Sequence, residues 1–595
     1  MVIATLAAAL VFYLPGHLPP LGRSAAWAAG FAANIWFMKS LDYFTAPADA
    51  APLLHLWSLG VEEQFYLVAP ALLAFMARRP GKRAWRLAAG LCALSFLGCV
   101  AATWTFPRSA FYLLPTRFWE LGLGMMLAWA PPGAVDAALA GRRRQAASIA
   151  GLALILGSVA LLDEGMRFPG VIALAPCLGA ALVIAAGPDT VGGRLLALRP
   201  LVLVGLVSYA LYLWHWPVLA YARTWAMQDY GTGWALGALA LSGLLATLTL
   251  VLVERPLRRA RWGSPRRTLL VGGGVLATLF VLGMGLARTD GFPSRWSDGA
   301  LALSEGRAPG AAAAPEAPGT CVRAAFGVRA AFVSCALGAP GDRPDFIVWG
   351  DSHAGALVPG LERAAAARGL SGYVLSANGC APLPGVAWAA NGLRRPCLAF
   401  NRDMEALVAR LRPRAVLLAG RWDHVAASFP GGDASLAGTR PLHPVGPSLV
   451  GAPPPFADAL AAAVGAVRAA GAVPLVLLQP PEPPHRVASV AARAFEWGRE
   501  PPGGVARAAH AARGAAMRAA LKALEAQAPG GGGVVALDPA EALCGPLDCP
   551  AFDGATPIYR DTNHLTRHGA LMLAPMLGEG LVDALRLQAG GGGAS

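Results

Sequence analysis

Two short motifs, far apart in the chain, hold the side chains best suited to covalent chemistry. GDSH at 350–353 offers Ser352, and DTNH at 561–564 offers Asp561 and His564. A serine hydroxyl is a weak nucleophile until a base takes its proton, and that base needs a carboxylate to orient it. Asp561 and His564, three residues apart, can supply both. Either motif alone is a common turn. Together they specify a Ser-His-Asp arrangement only if the fold brings one to the other.

The elements around them fit that requirement. Short apolar runs at 346–350, 372–377, 415–420, 473–479 and 534–538 alternate with Ala-rich helical stretches. Such alternation predicts a parallel sheet with helices on both faces, and in such sheets ligands bind at the carboxyl ends of the strands. GDSH follows the first run directly and DTNH follows the last. Ser352 therefore sits on a strand-to-helix turn, where the free N–H groups and partial positive charge of a helix start suit an oxyanion. His353 and His568 are set aside, the first because it adjoins the nucleophile, the second because it lies one turn beyond His564. No residue set is read as a metal site.

The first half of the chain is of another kind. The 595 residues are 55% hydrophobic and 14% charged, against about 25% charged in an ordinary soluble domain, and mean hydropathy is +0.49. Uncharged runs near the roughly 20 residues that span a bilayer lie at 87–105, 201–222, 233–253 and 268–287, with shorter ones at 147–162 and 171–187. Stretches 55–76 and 111–130 carry charges within apolar sequence, and 1–14 and 25–38 are weaker, giving nine or ten expected spans. The net charge of +14 is gathered in short clusters between these runs rather than in nucleic-acid-like tracts. Every second loop is basic: Arg78, Arg79, Lys82, Arg83 and Arg86; Arg142 to Arg144; Arg194 and Arg199; then Arg255, Arg258, Arg259, Arg261, Arg266 and Arg267. By the excess of Lys and Arg in cytoplasmic loops, these lie inside and everything after Arg288 lies outside. Residues 291–344, rich in Ala, Pro and Gly, read as a linker between domains at 1–290 and 345–590.

Ionisable groups at bilayer depth are costly and mark functional sites by default. His55, Ser58, Glu62 and Glu63 fall in one helix-length apolar segment, with His55, Glu62 and Tyr66 on one face. Arg117 and Glu120 are placed to pair at i,i+3. His215 stands between two tryptophans, where interfacial anchoring is an equally good account. Six of the nine cysteines lie beyond residue 320. Six allow 15 pairings; pairing neighbours would close three short loops, and an even number suits an oxidising compartment.

The segments FAANIWFMKSLDYF, PLLHLWSLGVEEQFYLVAP, RFWELGLGMMLA, GLVSYALYLWHWPV and VERPLRR, in that order, resemble the membrane domain of acyltransferase family 3. GDSH and DTNHLT resemble the SGNH domain fused to a subset of that family. The resemblance implies a multi-span all-α transmembrane domain followed by a three-layer α/β SGNH domain with a flavodoxin-like parallel sheet. It implies transfer of an acyl group, usually acetyl, from cytoplasmic acyl-CoA to hydroxyls of a surface polysaccharide or lipopolysaccharide, with no bound cofactor. The protein would sit in a bacterial inner membrane with its SGNH domain outside, its partners being the bilayer, acyl-CoA and the glycan, and no nucleic acid. Ser352, Asp561 and His564 match the family's triad, and Gly379 in SANGCAPL is the candidate for its oxyanion glycine. The family's further asparagine has no match, since RWDH follows AVLLAG. The chain also opens at what corresponds to the family's third span, without the basic residue and His of the family's start. Upstream coding sequence supplying two further spans is therefore expected. The rival readings are a glycan esterase using the same triad and a non-enzymatic transporter.

Overall fold

The structure, a computed structural model, describes all residues except 41–50, 79–80, 132, 164–165, 228–230, 260–263, 312–320, 323–327, 329–332, 342, 389–393, 430–443, 446–453, 527–532 and 592–595. Arg79, Arg261 and the last four residues of FAANIWFMKSLDYF lie outside the described residues, as does the side chain of Cys321. The chain divides into two compact units, Met1–Pro293 and Ser294–Ser595.

The first unit is helical. Six of its described helices are long and apolar enough to cross a membrane: Leu56–Ala77, Arg83–Thr105, Arg142–Leu161, Arg199–Ala226, Thr232–Arg259 and Pro265–Ala287. Leu201, Leu203 and Leu206 stand exposed along the fourth of these, as side chains facing lipid would. The expected nine or ten spans are not all present as long helices. Residues 1–40 break into Val2–Phe12, Leu18–Ala29 and Ala33–Ser40. Pro15 starts a separate turn, and Phe31 adopts a positive φ of 55° that no helix continues through. At 1.5 Å per residue the 11-residue Val2–Phe12 reaches only about 16 Å. Leu114–Ala128 has 15 residues, and the apolar stretch Val171–Ala186 is also short. The latter packs against Arg142–Leu161 through facing glycines, where a Cβ on Gly179 would come 2.8 Å from the Gly151 carbonyl oxygen. Small residues permit this backbone approach in lipid.

The second unit is built on a seven-stranded sheet. We number its strands β1 (Cys321–Val322), β2 (Val333–Gly338), β3 (Phe346–Gly350), β4 (Ser371–Ser376), β5 (Ala415–Ala419), β6 (Val473–Leu477) and β7 (Val535–Leu537). Their order is β1-β2-β4-β3-β5-β6-β7. The five strands β4-β3-β5-β6-β7 are parallel, and each coincides with a run expected from the sequence. Alternation along β3 explains the layers. Ile347 and Trp349 enter one core with Val416, Leu418 and Val476, while Phe346 and Val348 enter a second with Leu417, Leu475 and Leu477. Both faces are thus covered, which is why these strands read as unbroken apolar runs. Each such side chain contributes roughly 1.5–3 kcal/mol on burial.

The stretch expected to be a linker is partly structured. Helix Asp298–Ser304 lies in it, capped by the Ser297 hydroxyl, and β2 pairs antiparallel with β4 from Val333↔Ser376 to Gly338↔Ser371. The run VSCALG was masked by its Ala/Pro/Gly-rich surroundings. It adds an antiparallel edge to a parallel sheet, a common arrangement in such folds.

Candidate active site

The parallel strands follow a 2-1-3-4-5 order, in which ligands bind where the order reverses. Here that point falls between β3, flanked by β4 and β5, and β5 itself. β3 ends at Gly350, where a Cβ would lie 1.9 Å from the Ala419 carbonyl oxygen, so only glycine lets the two strands close. Asp351 follows as N-cap of the short helix Ser352–Ala356. One of its oxygens accepts the His353 N–H at 2.8 Å and the other accepts the Arg421 N–H at 2.9 Å. Burial works against the ionised Asp351. His353 and the two amides outweigh that, so the carboxyl stays below its usual value. Ser352 is thereby fixed at the first position of the helix.

The second motif reaches this point from the far end of the chain. Tyr559 and Leu565 form a β-bridge and the Arg560 N–H donates to the His564 carbonyl at 2.9 Å, closing a tight loop. Within it, Asp561 Oδ1 accepts the backbone N–H groups of Asn563 (3.0 Å) and His564 (2.8 Å). The loop then passes to the helix Arg567–Met572, capped by Thr566. His564 Nδ1 lies 2.8 Å from Asp561 Oδ2 and 3.1 Å from Oδ1. His564 Nε2 lies 2.8 Å from Ser352 Oγ. With Nδ1–H donating to the carboxylate, Nε2 is left to accept the serine hydroxyl proton. Burial alone would raise the Asp561 carboxyl. The His564 ring and the two amides hold it well below the ordinary carboxylate range instead. The side chains of His564 and Asp561 remain about one-fifth exposed, at 19% and 20%, so the line of three is open to an incoming group.

Other expected residues fall elsewhere. Gly379 lies in the loop after β4 with a φ of 71°, next to the Cys380–Cys397 disulfide. Among the described residues no hydrogen bond joins it to the three. Trp422, in the stretch where the family's asparagine has no match, is fully buried and donates to the Leu477 carbonyl at 2.8 Å. His568 bonds Asp553 at 2.8 Å.

Residues given no role from the sequence surround the site. The His353 and His564 rings are stacked. Arg421 makes two bonds to Glu482, at 2.6 and 3.1 Å, and Arg513 adds a third at 2.9 Å. Burial would lower the Arg421 guanidinium, but Glu482, Asp351 and Asp561 raise it above its usual value. Asp423 is buried with its carboxyl pushed up to about 7 by burial and by the charge of Glu482. RWDH is the one signal for Arg421 and Asp423 that the sequence offers.

In the helical unit two groups of expected residues come together separately. The Ser58 hydroxyl bonds Tyr212, whose hydroxyl also donates to the His55 carbonyl. The His55 ring lies 5.4 Å from that of Tyr212 and 5.7 Å from that of His215. Arg117 holds Glu120 through two bonds, 2.9 and 3.1 Å, with Trp57 5.1 Å from its guanidinium carbon. Glu62 and Glu63 are half-buried and join neither group by a hydrogen bond among the described residues. The face expected to unite His55, Glu62 and Tyr66 divides instead, since His55 is 3% exposed and Tyr66 is 56% exposed. His55 is the helix N-cap, packed against the rings of Tyr212 and His215. Gln64, which had no assigned role, ties the helix to the Phe31 carbonyl and to Asn34, both at 2.9 Å.

Two family models match the chain: an acyltransferase domain over residues 1–254 and an SGNH domain, of the kind fused to AT3 domains, over 320–579. The putative membrane-bound transacylase BcsY of Komagataeibacter xylinus is 32% identical over 255 residues, covering 43% of this chain and 64% of that protein. The O-acetyltransferase OatA of Staphylococcus aureus is 27% identical over 42% of this chain and 43% of its own. The peptidoglycan O-acetyltransferase OatA of Listeria monocytogenes is 29% identical over 42% of each. The chain thus spans less than two thirds of the length of these curated relatives. The solved periplasmic domain of a Salmonella ser. Paratyphi A lipopolysaccharide acetyltransferase overlaps 41% of this chain and 85% of its own. Its identity is 17% and its TM-score 0.30, too loose an overlap to carry an inference.

Proposed function

Because this membrane protein joins an acyltransferase domain to an SGNH domain, we propose that it O-acylates a cell-surface glycan in two stages. The helical unit passes an acyl group, acetyl in the simplest case, outward from cytoplasmic acyl-CoA. The SGNH unit then places it on a sugar hydroxyl of a polysaccharide or lipopolysaccharide. The protein would lie in a bacterial inner membrane with the SGNH unit outside, as the alternation of basic loops supports.

One observation carries the second stage: the hydrogen-bonded line Ser352–His564–Asp561. Ser352 Oγ attacks the acyl carbonyl while His564 Nε2 takes its proton. His564 returns that proton to the departing donor group, leaving an ester on Ser352. The glycan hydroxyl then gives its proton to His564 and attacks the ester. Ser352 leaves and recovers the proton. Asp561, held ionised, keeps His564 in the required tautomer and stabilises its transient positive charge. For the first stage, the His55–Ser58–Tyr212–His215 group and the Arg117–Glu120 pair are the polar sets to which we assign acyl handling within the bilayer.

An esterase would use the same three residues, but it has no use for an acyltransferase domain. Mass spectrometry of surface glycans from a deletion strain complemented with the wild type or with Ser352→Ala tests the reading. Acyl groups should return with the wild type alone. More acyl groups after deletion would instead identify a deacylase.

A further inference from the structure

His353, passed over in the sequence because it adjoins Ser352, lies face to face with His564: the ring centroids are 4.7 Å apart and the planes 27° from parallel. Each ring has its own aspartate. His564 Nδ1 is bonded to Asp561, and His353 Nδ1 lies 3.2 Å from Asp351 Oδ1. Two Asp–His pairs are therefore stacked, and only one touches Ser352. His353 is 6% exposed, and its Nε2 makes no hydrogen bond among the described residues. The ring lines a small apolar cavity with Gly420, Leu477, Pro480 and Leu565. Among the described residues no hydrogen bond joins the ring to Ser352, so its relation to the chemistry is through its face.

That face meets a need the two bonds of His564 leave open. Both bonds, to Asp561 and to Ser352, lie in the plane of the imidazole. They fix the line between the two nitrogens but not the tilt of the ring about it, and the last torsion of a histidine side chain is broad. A flat neighbour against the ring limits the tilt. The neighbour must itself be rigid. His353 is, since its backbone opens the helix behind Ser352 and Asp351 binds both its amide and its ring.

We propose that His353 is a positioning residue: its ring, anchored by Asp351, supports the face of His564 and keeps Nε2 on the Ser352 hydroxyl. This rests on Ser352 being the nucleophile, and the test separates the two ideas.

The full-length protein in detergent is reacted with a fluorophosphonate, which needs an activated serine but neither glycan nor acyl donor. Ser352 Oγ attacks phosphorus, fluoride leaves, and the proton passes to His564. Labelling lost in Ser352→Ala establishes the nucleophile whatever His353 does; an unlabelled wild type sinks both ideas. His353→Ala should slow the maximal labelling rate by roughly 10- to 100-fold, the scale of a small misplacement of a catalytic group, with the half-saturating probe concentration unchanged. His353→Phe, which restores a ring face, should recover most of the rate. His353→Asn, which offers Asp351 a hydrogen-bond donor but no ring, should not. An undiminished rate in His353→Ala overturns the proposal, as does recovery by Asn and not by Phe. Thermal melting identifies any variant that fails to fold, and if the alanine variant is one, the Phe and Asn variants decide.

Discussion

A side-chain oxygen of Asp351 and the backbone amide of Arg421 are joined by a 2.9 Å hydrogen bond. It links the turn after β3 to the turn after β5, across the point where the strand order reverses. The other oxygen of the same carboxylate caps the helix that carries Ser352. One buried side chain therefore ties the position of Ser352 to that of Arg421. Asp351→Ala removes the cap and leaves buried donors without acceptors, which should cost about 2–4 kcal/mol of SGNH-unit stability. Chemical denaturation of the full chain, followed by a probe in that unit, measures it. Because folding lowers this carboxyl, its stabilisation is present above the ordinary carboxylate pKa of about 4 and is lost as pH falls below it.

Ser352→Ala and His564→Ala should each reduce glycan acylation by at least ~10³-fold, and the double variant should be no worse than either, since the residues act as one unit. Quantifying acyl groups on isolated glycan gives the comparison. Additive losses would mean that His564 does not serve Ser352.

Asp423 has the opposite linkage. Its carboxyl is raised to about 7 by burial and by Glu482, against the pull of Arg513, Arg518 and Arg421. The folded unit binds that proton more tightly than the unfolded chain does. Stability is therefore lost as pH rises from about 4 to about 7 and is level beyond. Asp423→Asn should leave stability unchanged near pH 4 and raise it near pH 8, by as much as about 4 kcal/mol. Melting curves at several pH values read the difference. A gain independent of pH would contradict the linkage.

Cys380–Cys397 and Cys544–Cys549 are disulfides, and Cys335, in register with Cys321, is disulfide-bonded as well. Cys92, Cys99 and Cys177 are free. Alkylation of denatured, unreduced protein should thus modify only those three. Cys397→Ser should lower stability by about 2–4 kcal/mol through the loop it opens. Modification of the six cysteines beyond residue 320 would exclude the bridges.

Between Arg144 and Arg267 three of the long helices occur, Arg142–Leu161, Arg199–Ala226 and Thr232–Arg259, together with the shorter Val171–Ala186. Reporters fused after Arg144 and after Arg267 should both be cytoplasmic, and one near Gly310 exported. The first two agree only if the short helix also crosses, completing four passages. Reporters on opposite faces would show that it does not.

What was legible in the sequence follows from what burial does to side chains. The parallel strands were readable because both faces are covered, so every position of β3 is apolar. Ser352, Asp561 and His564 were readable because two unrelated motifs fell at the ends of the first and last strands. β2, held between β1 and β4, was hidden because its short run lies within Ala/Pro/Gly-rich sequence that reads as a linker. Helix ends in the first unit were misjudged because composition does not register the positive φ at Phe31. His353 is not legible in the sequence because it adjoins Ser352 there, whereas the fold stacks its ring on that of His564. The Arg421–Glu482–Arg513 group joins three separate loops and helices, and no local pattern announces such a meeting.

Ser352 and His564 are 212 residues apart in the chain. At about 5–20 residues per second the ribosome completes the second motif roughly 10–40 s after the first. Until then the serine has no base and the carboxylate that would orient that base does not exist. A nascent or prematurely ended chain can insert all its long apolar helices and still be chemically inert. On the proposed reading, the reactive line is therefore completed only once the 561–564 loop has been made and folds against Ser352.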